Sequence, residues 1–118
     1  MKKYIIVAVV LAIILVGSFA EKNYIDVTFD AFSVKLEQIA RKTKDETATA
    51  AEAAELVAWW EGKKKKLDLV VPHISITEAD MRLAEMSGNI EIQKYPEAYA
   101  QISILRSLSV RIKKLMSS

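Results

Sequence analysis

The hydrophobic pattern of this chain changes character once, close to its twentieth residue. Tyr4 to Ala20, YIIVAVVLAIILVGSFA, is a run of seventeen residues with no charge and no polar alternation. From Lys22 to Lys44 the apolar positions become periodic: Ile25, Phe29, Phe32, Leu36 and Ile39 are spaced four, three, four, three. That spacing puts them on one stripe of an amphipathic helix of about 20 residues, with Lys35, Glu37, Arg41 and Lys42 on its other faces. No proline or glycine follows Gly17 before this stripe begins, so both segments can form a single long helix, with Gly17-Ser18 or Asn23 as the places for a bend. Phe29 and Phe32, at stripe positions, are expected in the core.

Three further helices follow from the same reasoning. Thr43-Lys44-Asp45-Glu46 and Thr49-Ala50-Ala51-Glu52 both fit the capping box, which predicts a turn near residues 43–49 and leaves the next helix start open between them. That second helix carries Ala53, Leu56, Trp60, Leu67 and Val70 on one face, interrupted at Lys63 or Lys64, whose aliphatic stems can lie along the interface. Gly62 weakens its middle by roughly 1 kcal/mol relative to alanine and is a candidate bend. Pro72 ends or kinks it. A third helix, from about Pro72 or Thr77 to Ile90, would bury Ile76, Ala79, Leu83, Met86 and Ile90, with Gly88-Asn89 as its stop signal. Tyr95-Pro96-Glu97 opens a fourth, which presents Ala98, Ile102, Leu105, Leu108 or Ser109, Ile112 and Leu115. No segment reads as a strand. The expected fold class is all-α: an N-terminal transmembrane helix, then about four amphipathic helices in two hairpins.

Besides a buried helix of a soluble protein, the unpatterned run admits two main readings. At about 1.5 Å per residue it spans roughly 26 Å as a helix, a little short of the ~30 Å hydrocarbon core. Lys2, Lys3 and Lys22 can extend their stems to the interfaces, and Tyr4 and Phe19 lie near the ends, so the run can serve as an anchor. The same residues fit an export signal, with Lys2 and Lys3 as its basic end and Ser18-Phe19-Ala20 as a small-x-small cleavage site. Either way, residues 1–21 form an anchor or signal peptide and residues 22–118 an exported helical domain. The lysines at the amino flank keep Met1 cytoplasmic and send the remainder outward.

Charge and chemistry narrow the options. All fifteen acidic residues and fifteen of the seventeen basic ones follow Ala20, so the exported part is formally neutral and has no electrostatic footprint for nucleic acid. There is no cysteine and only one histidine, His73, which leaves a zinc site without enough nitrogen or sulfur ligands. As a general base, His73 would need a carboxylate such as Glu78 or Asp80 brought close at Pro72. The serines lack a nucleophile-elbow context, and three glycines do not make a phosphate loop. No enzyme activity, cofactor, metal or small-molecule substrate is therefore expected. Lys63 to Lys66 reads either as a contact with anionic headgroups or as a solvated helix face. Trp59 and Trp60 point about 100° apart on a helix. One belongs in the core, while the other packs on a neighbouring hairpin or faces a partner.

The order of an apolar helix, an Ala/Glu-rich helix, Trp60, the lysine run, Leu67, His73 and Ile76, then two more amphipathic helices, resembles a bacterial family, domain of unknown function 4363. Family members have a tryptophan followed seven residues later by an aromatic and thirteen later by a histidine. Trp60 and His73 hold two of those places here, Leu67 replaces the aromatic, and Ser75 stands where the family tends to be acidic. The resemblance implies a single-pass membrane protein with a helical exported part and no assigned activity. It also implies a multi-pass membrane protein as partner in the same bilayer. The expected function is that of a membrane-anchored, extracytoplasmic interaction or accessory module, which contacts another membrane protein or itself, with Trp59, Trp60 and His73 as candidate contacts. The alternative is a secreted helical ligand binder, released by cleavage after Ala20, with the tryptophans lining a groove.

Overall fold

The computed structural model describes residues 2–117, and for 17–22 and 117 it describes the backbone alone. Four helices account for nearly all of them: α1 (Lys2–Lys44), α2 (Ala50–Leu67), α3 (His73–Glu91) and α4 (Tyr95–Ser117). There is no strand among the described residues, so the chain is all-α. Its two N-terminal helical segments are one: α1 runs through Gly17-Ser18 and Asn23 without interruption. From about Ile25 onward α1 packs chiefly on α4, α4 on α3 and α3 on α2, and α2 returns to α1 to close an up-and-down four-helix bundle.

The 3-4 spacing translates directly into burial. Ile25, Phe29, Phe32, Leu36 and Ile39 from α1 are buried together with Ala53, Leu56, Trp60 and Leu67 from α2 and Ile76, Ala79, Leu83, Met86 and Ile90 from α3. From α4 come Ala98, Ile102, Leu105, Leu108, Ser109 and Ile112. Leu115 departs from expectation and lies exposed, while Met116 packs against the core. The reason is phase: at about 100° per residue, eighteen residues make five whole turns, so Met116 falls under Ala98 and Leu115 is a residue's rotation away.

Of the two capping boxes, the second is used. Thr49 Oγ1 accepts from the Glu52 amide at 3.2 Å, and the Glu52 carboxylate accepts from the Thr49 amide at 3.2 Å. Thr43 instead stays inside α1, its buried hydroxyl donating to the Ile39 carbonyl at 2.7 Å. Pro72 precedes α3 as its N-cap. Gly88-Asn89 does not stop α3. The helix runs on to Glu91, and Gln93, at φ 61°, takes the left-handed position while the Lys94 amide donates to the Asn89 carbonyl at 2.7 Å. Glu46, at φ 58°, ends α1 in the same way, with the Thr47 amide on the Lys42 carbonyl.

The N-terminal part of α1 stands apart from the bundle. Residues 2–16 are all exposed, and the molecule is accordingly 68 Å long but only 23 by 22 Å across. Among the described residues no helix is long and apolar enough to cross a membrane. The described apolar side chains end at Val16, and thirteen residues from Tyr4 reach only about 20 Å. Of the flanking residues, Lys2, Lys3 and Tyr4 are exposed, whereas the side chains of Phe19 and Lys22 lie outside the described residues, as does that of Ala20.

Candidate interaction surfaces

The aromatic residues of α1 and α2 meet in one cluster. Phe29 and Phe32 are three apart on α1 and face α2, where Trp60 occupies the core stripe. The Trp60 ring stacks on Phe32 at 5.0 Å between centroids and meets Phe29 edge-on at 6.5 Å. Trp59 turns aside by a residue's rotation yet reaches the same Phe32 ring, stacking at 5.7 Å. It is therefore half-buried against α1 within its own hairpin, rather than on a neighbouring one. Lys35 lays its ammonium over the outer face of Trp59, 5.4 Å from the ring centre.

Trp60 is fully enclosed, and its indole N–H donates to Asp80 Oδ1 on α3 at 2.6 Å. Asp80 Oδ2 accepts from Lys64 at 3.3 Å, and Lys64 also pairs with Glu61 at 3.0 Å. Hydrogen bonds to Glu61 first and Asp80 second hold the Lys64 ammonium protonated above the ordinary lysine range. The cluster ties three helices together with its polar atoms satisfied, so Trp60 is a structural residue with no face left for a ligand. Asp80, whose partner was invisible in the sequence, is spent on Trp60 and not on His73.

His73 opens α3 with its side chain about 80% exposed, and its Nδ1 lies 3.0 Å from Asp68 Oδ1. Neither Glu78 nor Asp80 approaches it as a hydrogen-bond partner; the carboxylate that does comes from the turn before Pro72. The pair lines neither the α1–α2 groove nor the two grooves beside α4. Trp59, Trp60 and His73 thus do not form one site. Among the described residues no three His, Cys, Asp or Glu side chains converge into a metal-binding group.

A concavity of about 550 Å³ lies between α1 and α2, the least intimately packed neighbours in the bundle. Ile39 and Leu56 lie among Lys35, Arg41, Lys42, Glu52 and Glu55, which line it. Sequence reasoning did not find it. The one available signal was the alternation of basic residues on α1 with acidic ones on α2 beside alanines too small to fill the space between helices. Lys42 and Glu52 pair across it, and that bond, followed by those to Thr49, lowers the Glu52 carboxyl below the ordinary glutamate range against the opposing effect of burial.

At the opposite end of the bundle, where α1 leaves it, Lys66 places its ammonium 5.5 Å from the centre of the Tyr24 ring, and Lys113 of α4 pairs with Asp30 of α1. The bond to Asp30 raises the Lys113 ammonium above its ordinary range. The α2–α3 connection and the end of α4 therefore surround the base of the N-terminal arm.

A family model described as a domain of unknown function, DUF4363, matches residues 19–117, which take in the bundle and leave most of the apolar run outside. No curated protein and no solved structure matches the chain.

Proposed function

The chain belongs to the DUF4363 family, and on that premise we propose that it is a membrane-anchored, extracytoplasmic helical module that holds a non-catalytic bundle against another membrane protein. The observation that carries this reading is the bare arm: Tyr4 to Val16 is apolar on every side and packed against nothing in the bundle. A helix about 10 Å across and about 20 Å long has roughly 600 Å² of side wall, at or beyond the ~300–600 Å² of contiguous apolar surface that monomers leave in water. At ~25 cal/mol/Å² that exposure forgoes about 15 kcal/mol, as much as a whole domain's folding stability. Lipid covers such an arm, and the lysines at its amino flank orient it with Met1 in the cytoplasm.

Alkaline carbonate extraction of membranes from the native host, with intact mass, tests the proposal. Full-length chain in the pellet is expected. Full-length chain in the supernatant refutes the anchor, and a mature N-terminus at Glu21 replaces it with the secreted, ligand-binding alternative. A C-terminal tag that external protease cannot reach would refute the extracytoplasmic placement.

A further inference from the structure

Several apolar side chains of the bundle lie outside its core, and Leu69 and Ile74 are the barest of them. Leu69 is 84% exposed and Ile74 is 79% exposed, comparable to Tyr4 on the bare arm at 81%. They flank Pro72, in the α2–α3 connection and the first turn of α3, at the end of the bundle from which α1 emerges. Lys65 and Lys66 precede them and Lys114 of α4 adds a further cation, all three exposed. Among the described residues neither Lys65 nor Lys114 enters an ion pair. Asp30 and Asp68, the nearby acids, are engaged with Lys113 and His73, and Asp26 adds its field at Lys113. The dipole of α2 accounts for lysines at its C-terminus but not for two bare apolar side chains beside them.

Reach along α1 supplies the second observation. Tyr4 and Tyr24 are separated by about 30 Å of unbroken helix, the thickness of a hydrocarbon core. With Tyr4 at one interface, Tyr24 and the Lys66 ammonium above it sit at the other, and no linker lets the bundle drift away. We infer that the arm-side end of the bundle is itself seated on the bilayer, Leu69 and Ile74 dipping among the headgroups of an anionic leaflet while Lys65, Lys66 and Lys114 contact lipid phosphates. This rests on the anchored reading, and it sets the bundle end at the interface where the helix leaves the hydrocarbon core.

The chain has no cysteine, so Leu69→Cys, Ile74→Cys, Val10→Cys and Ile92→Cys each give a single labelling site. Each labelled full-length protein is reconstituted in vesicles of phosphatidylcholine mixed with phosphatidylglycerol, containing lipid spin-labelled at the headgroup or along the acyl chain. Headgroup quenching at 69 and 74 is expected to exceed that at 92, on the far end of the bundle, several-fold, with Val10 quenched from the acyl region. Lys65→Gln/Lys66→Gln/Lys114→Gln lowers quenching at 69 to the level in pure phosphatidylcholine. Quenching at 69 and 74 no greater than at 92, with Val10 still quenched, overturns the seating and leaves the anchor intact. An unquenched Val10 overturns both. Labels at 69 and 74 shielded from aqueous iodide yet untouched by lipid quencher also overturn it, since protein then covers that end. Equal quenching in pure phosphatidylcholine removes the assignment to anionic lipid.

Discussion

Asp80→Ala removes the acceptor of an indole N–H that is enclosed where α1, α2 and α3 meet. The bond is short, 2.6 Å, and its acceptor is a carboxylate, a class that contributes about 1.5–3 kcal/mol net. Because the Asp80 side chain is about a third exposed, water can partly replace it, and the lower end of that range, about 1.5 kcal/mol, is expected. For a domain of this size about 1 kcal/mol moves the melting temperature by about 4–8 °C, so Asp80→Ala should lower it by about 6–12 °C. Trp60→Phe keeps a ring on Phe32 but loses the donor and part of the ring volume, and should cost at least as much. The decisive quantity is the double-mutant coupling, measured by thermal circular dichroism of the full chain in mild detergent. If the bond holds α2 to α3, the double variant falls short of the summed single losses by about 1–1.5 kcal/mol. Additivity within about 0.3 kcal/mol would refute the reasoning and reduce Asp80 to a surface carboxylate.

Gly62→Ala should stabilise the bundle by about 0.5–1 kcal/mol, since Gly62 is mid-helix and a Cβ there meets open space; a lower melting temperature would contradict this. Gln93→Gly should stabilise by about 1 kcal/mol by relieving the left-handed backbone at φ 61°, whereas Gln93→Ala should not. Thr49→Ala should cost about 1 kcal/mol through loss of the α2 cap, read by urea unfolding. The Glu52 carboxyl, held below its ordinary value of 4.5 chiefly by Lys42, binds its proton more weakly folded than unfolded. Its contribution is therefore full above that pH and is lost as pH falls through the depressed folded value. Melting temperatures from about pH 6 to about pH 3 should fall less steeply in Glu52→Gln, and identical slopes would show that the carboxylate contributes nothing there.

The core was legible because helical spacing is a backbone property: every stripe residue named on α1 and α3 and within α2 is buried, while Val70, expected on the second helix, lies half-buried beyond its end at Leu67. Leu115 failed because the four-three alternation from Ala98 through Ile102, Leu105, Ser109 and Ile112 continues by four to Met116, not by three to Leu115. Gly88-Asn89 falls in the last turn of α3, which closes at Glu91, one residue past the expected Ile90. The surfaces were harder. That Trp59 and Trp60 share one Phe32 ring depends on how closely α1 and α2 approach, which one-dimensional spacing cannot encode. The Trp60–Asp80 bond and the His73–Asp68 pair join residues twenty and five apart across turns whose geometry had to be seen. Leu69 and Ile74 were readable only as apolar positions off the stripe, beside a proline.

Because α1 is one helix from the bare arm into the core, the bearing of the arm's side chains is phase-locked to that of Phe29 and Phe32. Each residue between them contributes about 100° of azimuth and about 1.5 Å of height. One alanine inserted after Val16 would swing the α1–α2 groove through more than a quarter turn relative to whatever grips the arm, leaving the bundle's own packing untouched. A coupling of this kind behaves like a keyed shaft, so the compass direction in which the groove faces is fixed by the count of residues along it.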